Sequence, residues 1–225
     1  PQNNKNIIIT SGIEHSAVVK CCELFGKQEY EVKKIKTKSN GVVDLDDLKL
    51  LIDQYNNQIA LITVMAANNE TGVIQPYKEI GSLAAQFGIP YFSDTTQYIG
   101  KTPFSFKESN MDFAVMSSHK IGALIGSGLI IAKDKTKLKP LIQGGGQENG
   151  LRGGTQNYIG IETMAVAMED FQKNADKLHT VQNLREQFEE NIKNKFPEVE
   201  IIGAKAPRLA TTTMISYPGI HGQAV

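Results

Sequence analysis

An excess of either sign of charge is missing from this 225-residue sequence: lysine plus arginine number 24, aspartate plus glutamate number 24, and the formal net charge is zero. The basic residues are scattered and form no stripe that follows a phosphate backbone, which excludes nucleic acid as the main partner. Cysteine is scarce. Cys21 and Cys22 are the only two, and adjacent thiols do not close an ordinary disulfide loop, so both read as core residues of a chain from a reducing compartment. Long apolar runs are absent too: nothing reaches the roughly 18 to 20 residues that a spanning helix needs, and no basic flank precedes a signal-type stretch. The expectation is a cytoplasmic protein without a membrane partner. There is no internal repeat and no low-complexity segment.

What is present is an alternation. "KNIIIT", "EVKKIK", "IALITVM", "GIPYFSD", "MDFAVMSS" and "SGLIIAK" are short Ile- and Val-rich runs bounded by Gly, Asn, Asp or Ser, which predicts six strands. Helix-period segments lie between them: "IEHSAVVKCCELFG" stops at Gly26, "DLDDLKLLIDQY" opens on acids, and "PYKEIGSLAAQFG" runs from Pro76 to Gly88. Strands alternating with helices give an α/β fold with a mainly parallel sheet. From about residue 158 a long amphipathic run reads as one or two helices leading away from the sheet. The division expected is a large domain over 1–173 and the start of a small one over 174–225. The chain opens at Pro1 without methionine and stops at Val225 as a new element should begin, so both ends read as cut from a longer enzyme.

In parallel sheets ligands sit off the carboxyl ends of strands, which singles out "TSGIEHS", "AANNETG", "SDTTQ" and "SSHK". Each residue has an ordinary structural explanation when taken singly. Ser11 and Glu14 have capping-box spacing, which makes Glu14 a cap and puts His15 in a helix's first turn as a surface residue. Asn68 and Asn69 suit a turn, and Asp94 a cap. "GALIGSG" lacks the Gly-Lys-Ser/Thr of a nucleotide loop and reads as a strand-to-strand turn. "GGGQENGLRGGT" is either a flexible loop or a backbone surface for an anion or another subunit. Together they suggest pyridoxal 5'-phosphate, which needs a lysine amine for a Schiff base, a carboxylate to keep its ring nitrogen protonated, and hydroxyls for its phosphate.

"EHSAV", "NNETGVIQP", "DTTQYIGK", "SSHKIG" and "GGGQENGLRGGT", in this order from about residue 7 to the end of the chain, resemble the successive motifs of cysteine desulfurases, in the class V aminotransferase group of pyridoxal-phosphate enzymes. The resemblance implies a fold-type I transferase large domain followed by the start of a small domain. It makes Lys120 the Schiff-base lysine, with Ser117 and His119 at the phosphate. It implies that His15 stacks on the ring and shuttles protons, that Asn69 and Gln97 bond the ring's phenolic oxygen, and that Asp94 bonds its nitrogen. Thr155 would reach the phosphate of the partner subunit in a homodimer, with Arg152 beside it as an interface contact. The implied reaction converts L-cysteine to L-alanine and leaves persulfide sulfur for iron-sulfur assembly, with a scaffold or another acceptor protein as partner. No metal is implied.

The departures carry expectations of their own. "GALIGSGL" after the lysine is one residue shorter than the family's loop and lacks its Pro-Lys pair. The Gly-Ala-Thr phosphate turn and the segment with the nucleophilic cysteine and the substrate-binding arginine are missing, and neither Cys21 nor Cys22 matches that nucleophile. This chain by itself is therefore expected to be inactive. A selenocysteine lyase, a kynureninase-like enzyme, and a non-enzymatic truncated remnant are the other readings.

Overall fold

The computed structural model describes residues 5–220 and 222. Pro1 and Val225, on which the reading of the two ends rests, lie outside the described residues. The six expected strands are β1 (Ile7–Ser11), β2 (Glu31–Ile35), β3 (Ile59–Thr63), β4 (Tyr91–Asp94), β5 (Phe113–Ser117) and β6 (Gly128–Ala132). They lie side by side in the order β2-β1-β3-β4-β5-β6. Every pairing is parallel except β5 with β6, which run antiparallel. The helices are α1 (Ser16–Gly26), α2 (Leu45–Tyr55), α3 (Tyr77–Gln86), the short α4 (Phe106–Ser109), α5 (Tyr158–Lys173) and α6 (Leu178–Lys195).

Local chemistry sets the helix ends. Asp44 caps α2, its side chain accepting from the Asp46 amide at 3.0 Å, and the acids that follow suit the positive end of the helix dipole. Pro76 precedes α3, and Gly88 leaves it at φ +61°, a left-handed turn that favours glycine. The capping box expected at Ser11 and Glu14 does not form. Ser11 ends β1, and α1 starts only at Ser16, with the extended His15 as its cap through Nδ1 accepting from the Ala17 amide at 3.2 Å. Glu14 is engaged elsewhere: Ser11 Oγ and the Met65 amide, at 3.0 Å, both donate to its Oε1. It ties the end of β1 to the chain leaving β3, and His15 stands just before the helix's first turn.

One face of the sheet packs on α2 and α3. Ile7, Ile9, Ile62 and Tyr91 share a buried cluster with Leu48, Ile52, Ile80 and Ala84, each large apolar side chain worth about 1.5–3 kcal/mol when withdrawn from water. Ile7 is opposite Ile59 and Ile8 is opposite Leu61, so Ala60 is one residue too many for the ladder. That irregularity lets Ile59 and Ile62 both enter the core. On the other face, Ile8, Leu61, Phe92 and Val115 line an open cleft against which α1 is set. Successive helical residues point about 100° apart, which separates the two thiols: Cys22 is buried but Cys21 is exposed, so the core reading fails for Cys21.

The run after residue 158 forms two helices, and α5 does not lead away from the sheet. Asn157 donates to Ser127 Oγ at 3.0 Å, the Leu124 amide donates to Thr163 Oγ1 at 3.4 Å, and Met164 joins Ile99 and Met116 in a second buried cluster. Met164 supplies the apolar cover that the start of β6 needs. Beyond α6, a two-stranded ribbon pairs β7 (Glu200–Ile201) with β8 (Ile215–Ser216). The chain between them returns to the main core, where Leu209 is buried and its amide donates to the Gly72 carbonyl at 2.8 Å. Arg208 and Glu189 form a two-pronged ion pair at 2.7 and 2.8 Å that fastens this return to α6.

Candidate active site

Four chain segments leave the carboxyl ends of β1, β3, β4 and β5 and meet over one cleft of about 770 Å³. Its floor is the apolar sheet face, and its rim is polar. His15, Asn69, Asp94, Gln97, Ser117, His119 and Lys120 all line it. Seven of the eight residues singled out from sequence thus converge. Thr155 does not: it is exposed, outside the cleft lining, in the segment that precedes α5.

Side chains whose types suit a turn hold the rim. Asn68 takes that role, its Oδ1 accepting from the amides of Glu70 and Thr71 at 3.0 and 2.9 Å. Its Nδ2 donates to the Ile13 carbonyl at 3.0 Å, which fastens the His15 turn to the Asn69 turn and leaves Asn69 to face the cleft. Asp94 fastens the turn after β4, its Oδ1 accepting from the Thr96 amide at 2.9 Å, and the residue also lines the cleft.

Lys120 stands in a single 3-10 turn, Ser118–Ile121, closed by Gly122 at φ +89°. Ser118, fully buried, directs its hydroxyl to the carbonyls of Leu124 and Ser127 at 2.6 and 2.7 Å. That clasp fastens the shortened loop back onto the turn carrying the lysine. Beside it, Ser117 Oγ and His119 Nδ1 are 2.9 Å apart, a hydroxyl and an imidazole side by side on the rim. Gly100 has φ +75°, and a Cβ there would collide with Ile121, so the turn after β4 seats directly against the lysine's turn.

Three groups around the cleft have shifted proton affinities. Burial is the main cause that pushes the Glu14 carboxyl up to about 7; the bonds from Ser11 and Met65 oppose it, and the nearby Asp94 charge adds to it. Burial raises the Cys22 thiol. Burial, and then the charge of Lys120, lowers Lys101. Glu14 and Lys101 were not assigned to the site from sequence. The capping-box spacing hid the first, while the second was legible only as part of "DTTQYIGK". Thr96, Cys21 and Cys22 also line the cleft. Among the described residues no group of three or more His, Cys, Asp or Glu is placed to hold a metal ion, and no helix is long and apolar enough to cross a membrane.

The donor set fits pyridoxal phosphate. An accessible primary amine, a carboxylate with one oxygen free of hydrogen bonds among the described residues, two side-chain amides, an imidazole, and a Ser-His pair surround one cavity. An amine that adds to an aldehyde, opposite a carboxylate that pairs with a ring N–H⁺, is the chemistry this cofactor requires.

Comparison with known proteins shows the family. Residues 1–225 match the family described as Aminotransferase class-V. A cysteine desulfurase of Enterobacter agglomerans is 34% identical over 218 residues, which are 97% of this chain and 54% of that protein. The chain therefore spans about half the length of the curated relatives it matches. Among solved structures, the X-ray structure of a NifS-like protein from Rickettsia africae superposes with a TM-score of 0.90 at 32% identity, over 98% of this chain and 60% of that one. A structure described as SspA in complex with cysteine superposes with a TM-score of 0.80 at 29% identity, over 96% of this chain and 59% of that one.

Proposed function

The chain belongs to the aminotransferase class-V family, and from that premise we propose that it is the cofactor-binding part of a pyridoxal-phosphate-dependent cysteine desulfurase. The observation that carries this reading is the convergence of Lys120, Asp94, His15, Asn69 and Gln97 on one cleft. The relatives named cysteine desulfurase and the SspA structure with cysteine support L-cysteine as the substrate. In this reading residues 1–173 carry the site and residues 174–225 begin the second domain, in a cytoplasmic homodimer. The exposed Thr155 reaches the phosphate held by the partner subunit. The sulfur goes to iron-sulfur assembly through a scaffold or another acceptor protein.

When bound, pyridoxal phosphate supplies an aldehyde that joins amines and a ring that withdraws electrons from the substrate's Cα. Lys120 would hold the aldehyde carbon, and its amine, when free, would move a proton at the substrate's Cα. Asp94 would keep the ring nitrogen protonated, which an amide in its place could not do. His15, at the start of α1, would contact the ring. Ser117 and His119 would hold the phosphate. Asn69 and Gln97 would donate to the phenolic oxygen.

Release of sulfur requires a thiolate at the substrate's sulfur atom. Burial raises the Cys22 thiol, and Cys21 sits on the wall of a helix, not on a loop that can swing to the substrate. We expect these 225 residues to take up cofactor without turning over L-cysteine. The test adds pyridoxal phosphate, follows the visible Schiff-base band, fixes it with borohydride and maps the labelled peptide, while alanine release is compared with a cofactor-only control. Label on Lys120 is the expected result. Label on Lys101 or Lys133, or alanine release that disappears when Cys21 becomes serine, would overturn the assignment.

A further inference from the structure

Lys101 is a lysine beside the cleft for which the reaction above has no use. It follows Gly100, whose left-handed φ lets the turn after β4 press against Ile121, the neighbour of Lys120. The turn is wound tightly, with the Lys101 amide donating to the Tyr98 carbonyl at 3.1 Å and those of Tyr98 and Ile99 donating to Thr95 at 2.8 and 3.0 Å. Lys101 is only partly exposed and does not line the cleft, whereas Gln97, four residues earlier, does. The Lys101 ammonium donates to Gln97 Oε1.

That contact decides which way the amide faces. A glutamine side chain can offer a ligand either a carbonyl oxygen or an NH₂, and flipping it interchanges the two. An ammonium has three donors and no acceptor, so it can bond only the oxygen. With Oε1 turned to the ammonium, the Nε2–H₂ end of Gln97 is the end left to face elsewhere.

We propose that Lys101 is a positioning residue: by holding Gln97 Oε1 it turns the amide's NH₂ toward the cleft, and so makes this side of the site select a ligand oxygen over a ligand N–H. Burial supports the assignment, because a half-buried ammonium needs a fixed acceptor. Burial, and then the charge of Lys120, lowers Lys101, and two neighbouring cations on this side of the site favour an anionic oxygen. The proposal rests on the cofactor reading above, with the phenolic oxygen as the group selected.

The experiment uses two variants of the whole chain, Lys101→Met and Lys101→Arg, with folding checked by circular dichroism and thermal melting. The side-chain amide signals of Gln97 are first recorded by NMR without cofactor, and pyridoxal-phosphate affinity is then measured by absorbance titration. Lys101→Met keeps the length of the side chain but removes the donor, so it should shift or broaden the Gln97 signals and weaken the cofactor on the order of tenfold, the scale of one hydrogen bond. Arg also donates and cannot accept, so Lys101→Arg should recover most of both. Gln97 signals unchanged in Lys101→Met, or changed signals with unchanged affinity, would overturn the proposal. Failure of the native protein to bind pyridoxal phosphate would instead count against the proposed function, and the cofactor-free amide signals would still support or overturn the Lys101 contact.

Discussion

Glu14 carries a carboxyl whose burial outweighs two hydrogen bonds. Its Oε2 is enclosed without a hydrogen-bond partner among the described residues. The Asp94 charge on β4 raises it further, and Cys22 on α1 and Tyr91 on β4 feel its charge in turn. With a folded pKa of about 7 against an ordinary 4.5, the native state binds this proton more tightly than the unfolded chain does. The stability it contributes is complete below pH 4.5 and is lost as the pH rises to about 7. The size of the loss is about 3 kcal/mol, at 1.36 kcal/mol per pKa unit. Glu14→Gln imitates the neutral acid and keeps an acceptor for Ser11 and Met65. Urea unfolding of both proteins across this range should therefore show the native chain losing about 3 kcal/mol relative to the variant. Parallel pH profiles would mean that Glu14 is already ionised in the folded protein.

Among the elements, the strands were the most legible because β-branched runs ended by Gly, Asn or Asp leave little alternative at that length. The position of the site was legible for a related reason, since polar residues just after parallel strands must share one edge of the sheet. What sequence spacing did not reveal were contacts between segments distant in the chain. Ser11 and Glu14 satisfied a local helix-start rule, yet the Met65 amide, far along the chain, competes for the same carboxyl. The clasp from Ser118 to Leu124 and Ser127 depends on how the loop folds back, which no periodicity records. Gly100 is the element-level counterpart: it sets how closely the turn after β4 approaches the lysine's turn. Gly100→Ala must place a Cβ at φ +75° and against Ile121, which should cost on the order of 2–3 kcal/mol in denaturant unfolding and push Lys120 out of register with Asp94. A variant with native stability and native cofactor uptake would mean that the two turns are not in close contact.

For the molecule as a whole, the C-terminal return is a separate layer of organisation. Its ion pair and backbone bonds bring Leu209 into a core otherwise built from β1 through β5 and the helices between them. Gly72 permits the approach, since it lies at φ +73° and a Cβ there would meet Thr212 at 2.7 Å. This has a kinetic consequence. The sheet and its two covering helices can assemble from strands and helices near one another in sequence, whereas the seat for Leu209 stays open until the segment beyond α6 returns, and a long loop must be closed to fill it. Leu209 should therefore behave as a late-closing lid on the core. Leu209→Ala is expected to cost about 2–5 kcal/mol, almost all of it as faster unfolding, with the folding limb of the chevron nearly unmoved. Ile62→Ala, at the centre of the sheet, should slow folding instead. If Leu209→Ala slows folding as much as Ile62→Ala does, the last segment takes part in the nucleus, and the core cannot form ahead of it.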